Sequence, residues 1–360
     1  MRIDSVELFR VPFERTRSAA DSLESVIAVV HSGALVGLGE ATLSCGPTHG
    51  PEWSAAAFLC LRDWLAPAIL GREVDSGGQL QQHLVPYAGN AAAKSALDIA
   101  WWNLSAARAG QPLSQVVGAR QAEVHTGQTF GLAPSIDELL SNIQAALDTG
   151  CPLVTLKLRP GWDLQVVRAV RQSFPNAPLA VDCQASCTLA EMDTFYRLED
   201  FFLAEIIDPL SVDDLVAHAM LKQAIRTPLV LERSLTSVAR LEQMIDLDCC
   251  HKLRINLARV GGLTPALEIA RACSDAKLPW SVASDPAGEV AVGAAIALAA
   301  RCDSQTDSSI PEPIPYGGSG GESQRGEPWR FAVDFSRKSS AVQKVLASQV
   351  AVLERAHVGV

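Results

Sequence analysis

The chain has 360 residues, 48% of them hydrophobic and 19% charged, which is the composition of a soluble globular protein and enough length for a barrel plus a cap. Its net charge is −10 and it carries no long basic block, which argues against a nucleic-acid binder. No stretch reaches the length of an uncharged membrane span, and the opening "MRIDSVELFRVPFERTR" does not read as a signal peptide. The nine cysteines show no zinc-like spacing: Cys249-Cys250 is a bare pair, and Cys183/Cys187 lacks a matching second pair. Free buried thiols in a reducing cytoplasm are the expectation.

In chain order, residues 2–12 and 25–43 read as strands, with Ser32-Gly33 as a hairpin turn. From Glu52 to Arg108 the pattern is helical and rich in Ala and Leu. "NAAAKSALDIAWWNLSAARAG" (90–110) is its clearest helix, ended by Gly110 and Pro112. This first third reads as α+β. From about Ala122 short β-type runs alternate with helix-length segments. The runs are 124–132, 153–158, 178–183, 201–207, 228–232, 252–256 and 279–284. They recur roughly every 25 residues, the period of a βα unit. Seven such units, with a less clear eighth near 302–310, favour a (β/α) barrel over an open doubly wound sheet. No Gly-x-Gly-x-x-Gly follows the first of these strands, which lowers the dinucleotide reading. The expected organisation is an α+β capping domain over 1–120, a modified TIM barrel over 121–310, and a loop-rich tail over 311–360. The helix-like segment 341–355 of that tail is expected to pack back on the cap.

Active sites of such barrels lie at the C-terminal ends of the strands. There the second strand ends with Lys157, the third with Asp182, the fourth with Ile207 and Asp208, the fifth with Glu232 and the sixth with Asn256. Carboxylates ending nearby strands can share a divalent cation such as magnesium, which prefers hard oxygen ligands. The alternative is that the two acids cap the following helices or meet solvent, and spacing alone leaves both open.

The chain resembles the enolase superfamily in its muconate-lactonizing subgroup, with the o-succinylbenzoate synthases and N-succinylamino acid racemases as the nearest likeness. "GLGEATLSCGPTHGPEW" (37–53) is similar to the family's Gly-x-Gly-Glu hairpin and following loop, and "AAAKSALDIAWWNL" (91–104) to its cap-to-barrel helix. "TLKLRPGWD" (155–163) is similar to its second-strand motif, and "ARVGGLTPALEIA" (258–270) to its sixth-strand turn and helix. The resemblance implies proton abstraction beside a carboxylate, by a lysine base with magnesium stabilising the enediolate. It also implies a Lys-x-Lys at strand two, a lysine at strand six, and three carboxylates from strands three, four and five around the metal.

Carried over by position, that set is incomplete. The Lys-x-Lys becomes Thr155-Leu156-Lys157, which keeps the lysine that acts as base. Asp182 and Glu232 stand at the first and third metal positions, Ile207 falls at the second, and Asn256 replaces the strand-six lysine. Isoleucine cannot ligate magnesium, and asparagine cannot exchange a proton as lysine can. Asp208 is a substitute ligand only if a bulge turns it inward, because its parity along the strand is opposite. Two carboxylates with waters and a substrate carboxylate can still hold magnesium, so the cofactor expectation is a weakened or lost Mg2+ site. Layering of barrel interiors places Lys157, Ile207 and Asn256 at one level, with Thr155, Glu205 and Arg254 beneath. A Glu205–Arg254 pair inside the barrel follows, since an unpaired buried charge is costly.

Three readings stay open: a one-base dehydratase of the succinylbenzoate synthase type, a divergent enzyme on another small carboxylate, and a catalytically silent descendant binding a small carboxylate or a partner. Two-base racemisation lacks its second lysine. Thr129, Thr155 and His49 are the candidate substrate contacts, the last with Trp53 on a loop near the barrel mouth. Arg15 and Arg17 have no fixed direction, Arg159 reads as solvent-facing, and His218 reads as structural. The family commonly oligomerises, so the resemblance also implies a homo-oligomer; neither nucleic acid nor membrane is an expected partner.

Overall fold

The computed structural model describes residues 1–13, 23–47, 50–131, 133–158, 163–302, 310–311, 330–332 and 354–359. The first domain is built on strands β1 (Ser5–Pro12), β2 (Leu23–Ser32) and β3 (Leu35–Ser44). The β2–β3 turn falls on Gly33-Ala34, one residue later than the sequence suggests. Gly33 takes φ +56° there, a left-handed value that costs glycine little. Five helices follow: α1 (Ser54–Cys60), α2 (Ala66–Ile69), α3 (Gly77–Leu84), α4 (Ala91–Ala109) and α5 (Leu113–Val117); one π-helical turn joins α1 to α2.

The long helix α4 lies directly against β3. A Cβ on Gly39 would stand 1.7 Å from the Ala96 carbonyl oxygen, and one on Gly37 would stand 2.1 Å from that of Ala100. The glycines of "GLGE" are therefore required by this approach of backbone to backbone. The start of α4 is capped by the Glu52 carboxylate, which accepts from Ala91 N (2.7 Å) and Ala92 N (3.0 Å). Its end is Gly110 at φ +68°.

The second domain opens with the short strand β4 (Glu123–His125) and continues into seven parallel strands, hydrogen-bonded in sequence order. These are β5 (Gln128–Phe130), β6 (Val154–Lys157), β7 (Leu179–Asp182), β8 (Glu205–Ile207), β9 (Leu229–Leu231), β10 (Lys252–Asn256) and β11 (Trp280–Ala283). Helices α6 (Ile136–Asp148), α7 (Asp163–Ser173), α8 (Met192–Leu198), α9 (Leu215–Ala224) and α10 (Val238–Asp246) alternate with them. The remaining helices are α11 (Leu257–Val260), α12 (Leu263–Asp275) and α13 (Glu289–Ala299). This is the capped (β/α)-barrel class that the sequence predicts. Two strand limits differ: the run 124–132 divides into β4 and β5, and the run 201–207 starts only at Glu205. Before Glu205 the chain makes a tight turn with Phe202 at φ +50°. Residues 303–309, most of the expected eighth unit, lie outside the described residues. Near the C-terminus, β12 (Arg330–Ala332) pairs with β4, and β13 (Glu354–Gly359) adds an antiparallel edge to β1. Residues 341–353 of the expected helical segment are also outside the described residues. Among the described residues no helix is long and apolar enough to cross a membrane.

Two buried carboxylates of the first domain hold the second. Glu40, 1% exposed, accepts from Ser25 Oγ (2.6 Å) and from Gly288 N and Ala291 N (both 3.0 Å) at the start of α13. Asp98 of α4, fully buried, accepts from Thr264 N (2.9 Å) at the start of α12 and from Gln81 Nε2 (2.8 Å). Gly262, at φ +119°, lies so close above Asp98 that a Cβ would meet the Asp98 Cβ at 2.5 Å. Both acids answer helix N–H groups that have no intrahelical acceptor.

Alternation along the strands separates the barrel's two faces. Ile206 and Leu229 pack with the helices, whereas Ile207 and Val230 cluster with Leu153 and Ala180 on the opposite, interior side. The Glu205–Arg254 pair is present: Arg254 Nη2 lies 2.8 Å from Glu205 Oε2. Lys252 joins it, with Nζ 2.5 Å from Oε1. Burial alone would raise the Glu205 pKa, but the fields of Arg254 and then Lys252 outweigh it and hold the carboxyl below its ordinary value.

Replacing Glu40 with Ala leaves the α13 amides and Ser25 without their acceptor. A loss of about 1–3 kcal/mol is expected, read as a lower urea midpoint at unchanged slope. Glu205→Gln leaves two cations uncompensated and is expected to cost about 3–5 kcal/mol at pH 7. A depressed carboxylate contributes stability that is present above its ordinary pKa of 4.5 and lost as pH falls through the folded value. The stability gap between wild type and Glu205→Gln should therefore narrow below pH 4.5 in urea titrations over a pH series.

Candidate functional site

The C-terminal ends of β6 to β11 carry the polar residues that the sequence singles out. Lys157 ends β6, directly beside Asp182 at the end of β7, which is in turn beside Ile207 at the end of β8. The Lys157 side chain is exposed, whereas Thr155, one inward step deeper, is buried. Thr129 on β5 is half-buried and in register with Thr155. His49, Arg15, Arg17 and Arg159 lie outside the described residues. His218 is fully buried on α9, with Nδ1 2.8 Å from the Asp214 carbonyl oxygen and Nε2 accepting from Leu210 N (3.3 Å). Burial lowers its pKa, and the expected structural role matches this placement.

The rim turns are tightly folded. After β7, Gln184 and Ala185 take φ +54° and +59°, and after β8 Asp208 takes +42°, values uncommon for non-glycine residues. The first of these turns returns Gln184 N to Asp182 Oδ1 at 2.8 Å and Ala185 N to the Asp208 carbonyl at 2.8 Å. The left-handed step at Asp208 directs its carboxylate to the end of β9. There Oδ1 accepts from Glu232 N (2.9 Å) and both oxygens lie 3.2 Å from Arg233 N. Arg233 Nε is 3.7 Å from Oδ2. Asp208 is thus buried and committed to backbone donors. Burial, then the Glu232 charge, with a smaller contribution from Asp182, pushes its pKa up to about 7.

Asn256 and Arg259 bridge the far side of the rim. Asn256 Oδ1 accepts from Ala258 N (3.1 Å), capping α11. Asn256 Nδ2 reaches both Glu232 Oε1 and Asp285 Oδ2, at 3.2 Å each. Arg259, three residues on and on the same helix face, reaches the same two oxygens: Nε to Glu232 at 3.4 Å and Nη2 to Asp285 at 3.5 Å. Burial works against the Arg259 charge, but Asp285, Glu232 and Asp208 overcome it and raise its pKa. Arg259 and Asp285 escape sequence reasoning that follows strand ends only. Their signals were the i,i+3 spacing from Asn256 and the inward parity of Asp285 beyond Ala283.

A three-carboxylate magnesium site needs free oxygens converging from three strands. Here Asp182 Oδ1 and Glu232 Oε1 already accept hydrogen bonds, and both Asp208 oxygens accept from amides. Ile207, at the position where the resemblance implies a ligand, is packed among apolar side chains. Among the described residues no group of three His, Cys, Asp or Glu is placed to hold a metal ion. These contacts take one oxygen each of Asp182 and Glu232, and Ile207 offers no ligand atom at the middle position.

Comparison with known proteins agrees with the architecture. Residues 2–118 match the family model for the mandelate racemase / muconate lactonizing enzyme N-terminal domain, and residues 138–330 match the enolase C-terminal domain-like model. An N-succinylamino acid racemase of Thermus thermophilus is 32% identical over 285 residues, covering 78% of this chain and 77% of its own. An o-succinylbenzoate synthase of Geobacillus kaustophilus is 32% identical over 271 residues, covering 75% and 72%. Among solved structures, an enolase-superfamily member from Listeria innocua superposes with TM-score 0.84 at 23% identity, covering 100% of this chain and 99% of that one. The N-succinyl Arg/Lys racemase of Bacillus cereus gives TM-score 0.86 at 20% identity, covering 99% and 100%, a likeness of fold. By its matched domains and its relatives over three-quarters of its length, the chain belongs to the enolase superfamily.

Proposed function

We propose that this protein abstracts a proton from the carbon beside a carboxylate using one base, Lys157, in a dehydration of the o-succinylbenzoate synthase type. The observation that carries the reading is the placement of Lys157: its side chain is exposed at the end of β6, beside Asp182. Relatives bearing the names o-succinylbenzoate synthase and N-succinylamino acid racemase support the reaction class and a succinylated or otherwise carboxylated substrate. Asn256 directs the choice between those two chemistries. Racemisation needs a proton donor on each face of the planar intermediate, and an amide does not ionise. Dehydration needs one base: the α-proton passes to Lys157, the hydroxyl on the next carbon leaves, and one proton completes the departing water. Asn256, fixed by Glu232, Asp285 and its own helix cap, is the group opposite Lys157 that orients the substrate.

A second reading is a catalytically silent descendant that binds a small carboxylate. It is favoured by the apolar packing of Ile207 and by the engagement of Asn256 Nδ2 with two carboxylates.

Incubation with a panel of succinylated and hydroxylated carboxylates in deuterated water separates the readings. Deuterium incorporation or dehydration is expected, followed by mass spectrometry, and Lys157→Ala is expected to slow it about 10²–10⁴-fold. Carboxylate binding by calorimetry with no exchange across the panel would establish the silent reading instead. Asn256→Lys supplies the second ionisable group, and it is expected to add racemisation of N-succinyl amino acids, measured by chiral chromatography. If Lys157→Ala retains full exchange, Lys157 is not the base.

A further inference from the structure

The floor of the barrel, at the opposite end of the strands from the rim, is charged. Glu205 opens β8 and Lys252 opens β10. Glu205 is in register with Ala180 and Lys252 with Val230, both members of the interior apolar cluster, so the two side chains turn inward. The Glu205 carboxylate takes Lys252 Nζ on Oε1 (2.5 Å) and Arg254 Nη2 on Oε2 (2.8 Å). This cluster therefore joins two cations to one carboxylate. Arg254 is 2% exposed, and Ser281, its register partner on β11, is fully buried. Two polar atoms at this place, Arg254 Nε and Ser281 Oγ, have no hydrogen-bond partner among the described residues.

We infer that the barrel floor binds a monovalent anion of the size of chloride between Arg254 Nε and Ser281 Oγ. The register sets these two residues side by side on adjacent strands and on one face, with backbones about 4.8 Å apart. An ion lying between their side chains is within reach of both donors. A guanidinium N–H can only donate, and a serine hydroxyl can donate as well. Both groups are costly to leave unmatched in a protein interior. A water molecule would accept from both but would leave the surplus positive charge of the cluster in place. An anion accepts from both and offsets that charge. Full burial of the pair favours a monatomic ion over a phosphate. The side chains of Lys252 and Glu205 keep 13% and 12% exposure, which gives the ion a route in from the floor side. A bound anion ties β10 to β11, the strands that lead to Asn256 and Asp285 at the rim. The site is separate from the pocket of the proposed function and does not depend on Lys157 acting as a base.

Chloride and bromide are the probes. The melting temperature is expected to rise saturably as chloride replaces gluconate at constant ionic strength, which holds screening fixed. Ser281→Ala removes one donor without changing any charge and is expected to weaken the apparent chloride affinity about tenfold. Arg254→Met is expected to abolish the chloride dependence. If that variant does not fold by circular dichroism, wild type and Ser281→Ala carry the same test. Crystals soaked in bromide are expected to show an anomalous peak within hydrogen-bond distance of Arg254 Nε and Ser281 Oγ. A water at that position with no bromide signal, a melting temperature indifferent to halide, or a Ser281→Ala protein with the wild-type chloride dependence would overturn the inference.

Discussion

Two helix N-termini of the barrel end on carboxylates from the other domain, and the geometry of the rim depends on that arrangement. Asp98 receives Thr264 N at the start of α12, five residues beyond Arg259, with Gly261 and Gly262 in between. Glu40 receives Gly288 N and Ala291 N at the start of α13, three residues beyond Asp285. The two segments that carry the Arg259–Asp285 contact are thus each fixed by a buried acid of the first domain. Gln81 adds to this by bonding Asp98 and approaching the Gly261 carbonyl at 3.5 Å. A first domain that merely covered the barrel mouth would not need such links. In this chain it also sets the position of the rim.

The links rest on backbone approaches that only glycine allows. Gly37 and Gly39 bring β3 onto α4, which places Glu40 and Asp98 on adjoining elements facing the same barrel. Gly262 then lets the β10–α12 connection descend onto Asp98. Burying two carboxylates is costly where they lack donors. Here the donors are amides at helix starts, groups that would otherwise be unsatisfied. Burial still pushes the Asp98 pKa up to about 6, so the arrangement keeps a residual desolvation cost.

Much of this was legible in the sequence, for identifiable reasons. The βα period and the Ala-rich helix before it are repetitive signals, and repetition survives local error. The Glu205–Arg254 pair was legible because strand parity sends both residues inward and buried charge demands a partner; Lys252, two residues before Arg254, obeys the same parity and could have been read with it. The division of 124–132 falls on Thr126-Gly127, where the glycine was an available signal. The late start of β8 was not legible, because Phe201, Phe202 and Leu203 carry the apolar run through a turn whose φ value the sequence does not declare. The direction of Asp208 was hidden for a related reason. Its parity along β8 predicts a helix-facing side chain, and the left-handed step at its own Cα redirects it to the amides of Glu232 and Arg233. Arg259 and Asp285 lie beyond strand ends, where direction is set by a four-residue helix and by the docking of α12 and α13 rather than by any period.

Ile207 and Arg259 bear on the same balance of charge at the rim. A fully buried isoleucine contributes about 1.5–3 kcal/mol through burial, and Ile207 sits among Leu153, Ala180 and Val230 inside the barrel. A carboxylate in its place would add a further acid to a rim where Asp208 is already driven towards its neutral form by burial and by Glu232. That excess of negative charge would raise the need for a positive partner at the rim. With an apolar residue at the centre, the Arg259 guanidinium reaches both Glu232 and Asp285 from the first turn after β10. An apolar residue at the centre thus lowers the demand for positive charge at the rim, and Arg259 meets part of what remains at Glu232 and Asp285.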